Sequence, residues 1–95
     1  MAIETVQVRS GEPFEITLSE PVTGGFRWRV SNIPPEVTLL DEHYAPPDPG
    51  PLGSPGSRIL RARAQAAGRY RLEFVLESAT DPRPAREHRV EVLVA

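Results

Sequence analysis

Few residues in this chain can do covalent chemistry, and their spacing keeps them apart. There are two histidines, His43 and His88, and no cysteine, so thiol catalysis, disulfides and thiolate metal sites are excluded. Ser10, Ser54 and Ser57 can be paired on paper with His88 and Asp81. No Gly-x-Ser-x-Gly elbow supports such a pairing, and composition alone permits it in most proteins. Asp41, Glu42 and His43 are three metal-ligand types in a row. On a strand, however, successive side chains point to opposite faces, so the three cannot converge on one ion. Both histidines are read as surface residues. Gly50, Gly53 and Gly56 form a glycine-rich run, yet no helix N-terminus or Lys follows to make a phosphate cradle. The chain is expected to be no enzyme and to need no cofactor or metal.

Residues suited to non-covalent contact are better represented. In "SEPVTGGFRWRV", residues 19–30, turn formers directly precede a strand that holds the only Trp. Pro21 limits the backbone before the tip, and Thr23 offers a hydroxyl. Gly24 and Gly25 permit positive φ and close approach of main chain to a partner. Trp28 itself reads as core. Arg83, in "SATDPRPA", suits either a pairing with an acidic residue on a partner or plain solvation. All eleven basic residues are Arg, and the formal net charge is −2, which argues against a nucleic-acid or anionic-membrane partner. Arg61, Arg63, Arg69 and Arg71 flank "AAG", read as a hairpin, and would share one sheet face. Opposed arginines repel, so Glu73, Glu87 or Glu91 is expected beside them.

The elements that must position these residues are strands. The 95 residues are the size of one domain, 1–95, which buries about two-thirds of its unfolded surface. Alternation dominates: Phe14, Ile16 and Leu18 share one parity, as do Phe26, Trp28 and Val30, then Tyr70, Leu72, Phe74 and Leu76, then Val90, Val92 and Val94. Charged or polar residues fill the opposite parity, as in strands with one buried and one wet face. Strands are expected near 3–9, 13–19, 26–31, 37–44, 57–65, 69–77 and 86–94. Seven short antiparallel strands in this length predict an all-β, immunoglobulin-like β-sandwich, with a small barrel as the alternative. The connections after strands two, four and six are the elaborate ones. If every strand runs the full height of the sandwich, those three lie together at one end.

These residues resemble the chagasin-like inhibitors of papain-type cysteine proteases, which are immunoglobulin-like sandwiches. The family's first binding loop reads Asn-Pro-Thr-Thr-Gly, then an aromatic, any residue and Trp. Here Glu20-Pro21-Val22-Thr23-Gly24 is followed by an additional Gly25, then Phe26-Arg27-Trp28. The family's Gly-rich second loop corresponds to Gly53-Ser54-Pro55-Gly56. Its third loop carries Arg-Pro-Trp, whereas Arg83-Pro84 is followed by Ala85. The resemblance implies a reversible inhibitor that occludes the cleft of a papain-like cysteine protease with these three loops. A non-inhibitory interaction module that kept the scaffold and lost the third-loop aromatic is the alternative. A monomer without nucleic-acid or membrane partners is expected. The start, "MAIETVQV", has no signal-peptide pattern, and no stretch is long enough to span a membrane. A soluble chain is expected, with its location open between the cytoplasm and export after removal of a signal.

Overall fold

The alternating segments become seven strands: β1 (Ala2–Val8), β2 (Phe14–Glu20), β3 (Arg27–Asn32), β4 (Val37–Ala45), β5 (Gly56–Ala64), β6 (Gly68–Glu77) and β7 (Arg86–Val94). The structure, a computed structural model, describes residues 2–22, 24–50 and 54–95. Each strand boundary lies within one residue of the expected one. No helix is present among the described residues, so none is long and apolar enough to cross a membrane.

The strands divide into two sheets, β1-β7-β6-β3 and β2-β5-β4, which face each other across one core. The partition matches an immunoglobulin sandwich, with β1 added beside β7. Two separate sheets exclude the closed barrel. Phe14, Ile16 and Leu18 of β2 meet Leu72, Phe74 and Leu76 of β6 in the core, with Val90 and Val92 of β7 beside them. The inward parity read from the sequence is the buried parity, and Trp28 is only 6% exposed.

Two expectations are corrected. β1 pairs with β7 in parallel, Ala2 opposite His88 and Val8 opposite Val94, whereas every other pairing is antiparallel. The first strand comes from the far end of the sequence, so no tight turn forces it to run against β7. The "AAG" connection is no hairpin within one sheet, because β5 and β6 belong to different sheets. The chain crosses the core there, and the two arginine pairs decorate opposite sheets. Arg61 meets Asp41 at 2.8 Å and Arg71 meets Glu91 at 3.2 Å. Tyr70 closes the crossover by donating its hydroxyl to the Ala66 carbonyl at 2.8 Å, the corner device of immunoglobulin-like domains.

Register decides what lies at each end. Glu20 pairs with Gly56, Ala45 with Ser57, Arg27 with Glu77 and Leu76 with Arg86. The connections β2–β3, β4–β5 and β6–β7 therefore leave the strands at the same end, which we call the loop end. The connections β1–β2, β3–β4 and β5–β6 leave at the other.

Candidate functional site

At the loop end, the first connection rises from a buried foot. Glu20 continues the inward parity of β2 past Leu18 and is 3% exposed. Its carboxylate accepts from the Trp28 backbone N–H at 2.8 Å. It also accepts from Arg58 Nη2 at 2.8 Å and Nε at 3.2 Å, a two-point contact. The Trp28 indole donates to the Ser19 carbonyl at 2.8 Å. Burial pushes the Glu20 carboxyl up. The Arg58 guanidinium, the Trp28 N–H and the charge of Arg27 outweigh it and hold the group below its ordinary value. The hydrogen bond to Glu20 correspondingly raises Arg58. Arg58 lies 3.7 Å from Glu42, whose carboxylate is 3.8 Å from Arg27, and its guanidinium stands 5.4 Å from the Tyr44 ring. Glu20, a member of the sequence-predicted contact set, is thus enclosed at the base of the loop.

Above this foot stand Pro21, Val22 and two glycines. Pro21 is half-buried, while Val22 is 53% exposed. Gly24 and Gly25 have φ of +84° and +66°, consecutive left-handed positions that L side chains rarely adopt. A Cβ on Gly24 would come within 2.8 Å of the Phe26 ring, which sits half-buried against the core. Thr23 lies outside the described residues.

In the second loop Ser54 is half-buried and Pro55 exposed, and Gly53 lies outside the described residues. Gly56 serves a different purpose from the one its motif position implies. It is the first residue of β5 and buried, and a Cβ there would clash with Tyr44 and approach the Ala45 carbonyl to 2.7 Å. The missing side chain makes room for Tyr44.

The third loop folds on itself. Asp81 accepts from the Arg83 N–H at 3.0 Å and from its guanidinium at 3.4 and 3.5 Å. These contacts, the backbone one first, hold Asp81 below its ordinary value. The Asp81 N–H donates to Ser78 Oγ at 3.1 Å. Arg83 is exposed yet already paired within its own loop. Pro84 and Ala85 are also exposed, and with Phe26 they line a shallow notch between the first and third loops.

The candidate catalytic groups stay dispersed. Ser10 donates its backbone N–H to Ala95 at the end away from the loops, and Asp81 is committed to Arg83. His43 is exposed, but His88 is a correction to the surface reading. It is half-buried, with Nε2 3.0 Å from Glu4 and its ring edge-on to Trp28. Asp41 faces out to Arg61 while Glu42 turns toward Arg58. No trio of His, Asp or Glu able to hold a metal occurs among the described residues.

Residues 7–94 match the chagasin family of peptidase inhibitors, family I42. The chain belongs to that family. Chagasin-family membership makes it a protein of an inhibitor class, not of an enzyme class. The structure is similar to that of the cysteine protease inhibitor EhICP2 from Entamoeba histolytica, with a TM-score of 0.73 at 15% identity, covering 99% of this chain and 96% of that one. It is similar to amebosin in solution, with a TM-score of 0.72 at 21% identity over 100% and 99% of the two chains. An endo-fucoidan hydrolase of glycoside hydrolase family 107 shares the fold over 13% of its own length, with a TM-score of 0.60 at 12% identity. No curated protein matches by sequence.

Proposed function

We propose that this chagasin-family chain reversibly inhibits papain-like cysteine proteases by setting its loop end into the active-site cleft. The observation that carries the reading is the first loop. Its two ends are tied at a buried carboxylate, and its tip passes through two consecutive left-handed glycines. A protease cuts a chain that lies extended in its cleft, and positive φ turns this backbone away from the extended region. In this reading the tip fills the space over a catalytic Cys and His, and the backbone at Gly24 and Gly25 stays out of cutting geometry. Ordering each backbone residue costs about 1–2 kcal/mol, so a loop already held by its scaffold loses less on binding than a mobile one.

Contacts in this reading come from Pro21, Val22, Thr23, Gly24 and Gly25, with Gly53, Ser54 and Pro55 on one side and Arg83 and Pro84 on the other. Glu20 and Gly56 act from beneath. One observation favours the second reading, a non-inhibitory interaction module. Ala85 leaves the third loop without an aromatic anchor, and truncating such an anchor commonly costs 2 kcal/mol or more, roughly thirtyfold in affinity. Titrating papain or a cathepsin L-like enzyme with the purified chain separates the two. Competitive inhibition at about micromolar or below is expected, whereas none at high micromolar assigns the scaffold to the second reading.

A further inference from the structure

β2 and β3 follow each other in sequence but lie in opposite sheets, so no ladder of backbone hydrogen bonds holds the two feet of the first loop together. Among the described residues, the polar ties across that gap are the Trp28 N–H to Glu20 and the Trp28 indole to Ser19. The first depends on where the Glu20 carboxylate points. Arg58, reaching in from β5, aims it with a two-point contact that Lys cannot reproduce. Only 4% of the Glu20 side chain and 12% of the Arg58 side chain are exposed. An ion pair this enclosed adds little stability over well-packed apolar residues of the same volume. Stability therefore gives no reason to place two charges on the inward parity of β2 and β5. Loop geometry does.

We propose that Glu20 is a positioning residue for inhibition. It touches no part of the protease, but through the Trp28 N–H it fixes how far the first loop opens. Arg58 sets the carboxylate, and Glu42 and Arg27, on β4 and β3, complete the charges around it. The assignment rests on the inhibitor reading. A loop released from its foot samples several openings, and apparent affinity falls in proportion to the share of molecules in the binding shape.

Two double variants isolate the acceptor from the ion pair. Glu20→Met with Arg58→Leu removes both charges and the acceptor. Glu20→Gln with Arg58→Leu removes the charges but leaves an amide oxygen for the Trp28 N–H. Both should fold, the Gln variant melting near the parent and the Met variant, which leaves the buried Trp28 N–H without its acceptor, melting lower. The Met variant should inhibit roughly tenfold less tightly or worse, with faster amide exchange at Trp28, whereas the Gln variant should recover to within about threefold. A folded Met variant that inhibits like the parent overturns the proposal, as does a Gln variant that fails equally. If the Met variant does not fold, Arg58→Lys replaces it, and unchanged inhibition there is equally fatal. If the parent inhibits no papain-like protease, the functional reading falls by itself. Amide exchange at Trp28 then still decides whether Glu20 governs the loop.

Discussion

The two ends of the sandwich are closed by different means. At the end away from the loops the backbone closes on itself: Ser10 N–H to Ala95, Gly11 N–H to Ala64, Ala95 N–H to Val8, all at 2.7–3.0 Å, with Tyr70 across the β5–β6 crossover. At the loop end, one backbone bond of this kind occurs among the described residues, Ala85 N–H to Leu76. Shape there comes from side chains reaching up from the strands, Glu20, Arg58 and Trp28 below the first loop and Ser78 and Asp81 within the third. Proline adds stiffness, since eight of the eleven prolines fall in the β2–β3, β4–β5 and β6–β7 connections. Fixed φ and side-chain props stiffen a loop while leaving its main chain to face outward. Among the described residues, the end away from the loops uses its backbone groups internally, and the loop end keeps its shape by other means.

Trp28→Ala should have the largest effect, because Trp28 belongs to the core and to the loop foot at once. A loss of about 3–5 kcal/mol in chemical denaturation is expected, together with loss of inhibition. A variant of near-parental stability would mean that the foot is not anchored in the core.

The sharpest test compares two glycines of matched conformation, Gly24 at φ +84° and Gly11 at φ +81°. Valine at either position should cost about 1–2 kcal/mol through left-handed strain. Only Gly24→Val also drives a side chain into Phe26, and only it should weaken protease inhibition, by roughly tenfold or more. Equal losses of inhibition from both variants would erase the distinction between the ends.

Acid should act on the loop end through Glu20. Its folded-state carboxyl lies below its ordinary, unfolded value, so its contribution to stability is present above that unfolded value. The contribution is lost as pH falls from about 5 through the folded value, because the unfolded chain then takes up the proton first. Unfolding free energy measured from pH 7 to pH 3 should therefore fall more steeply for the parent than for Glu20→Gln. Parallel curves would remove Glu20 from the account.

Arg83→Ala should do least. Its partner Asp81 is half-exposed and Arg83 more so, and such pairs are screened by solvent. The unfolding midpoint should stay in place and inhibition change by less than about threefold. A larger loss would show that Arg83 leaves Asp81 to meet the protease.

Alternation made the strands readable in the sequence, because one buried face imposes a period of two wherever the core is apolar. The same parity extends to Glu20 after Leu18 and to Arg58 before Leu60, so the enclosed pair was written in the chain. A charge is ordinarily assigned to solvent, and nothing short of the β2–β5 register brings Glu20 within reach of Arg58. Gly56 misleads for a similar reason. Its need for a bare Cα comes from Tyr44 on another strand, and a local glycine-rich motif carries no trace of it. The crossover at "AAG" reads as a hairpin because a short turn between strands looks the same whether the chain stays in its sheet or changes sheets. Tyr70 marks the difference, four residues from the carbonyl it caps.

The parallel pairing of β1 with β7 has a practical consequence for attachment. Ala2 lies opposite His88 near the loop end, whereas Ala95 is bonded to Val8 and Ser10 at the other. A surface, bead or fusion partner joined after Ala95 holds the molecule with its three loops pointing outward, whereas one joined before Ala2 stands beside them. Two copies linked tail to tail through Ala95 would face opposite ways and could engage two enzymes at once. An immobilised chain should accordingly capture a protease when tethered by its C-terminus and lose capture when tethered by its N-terminus.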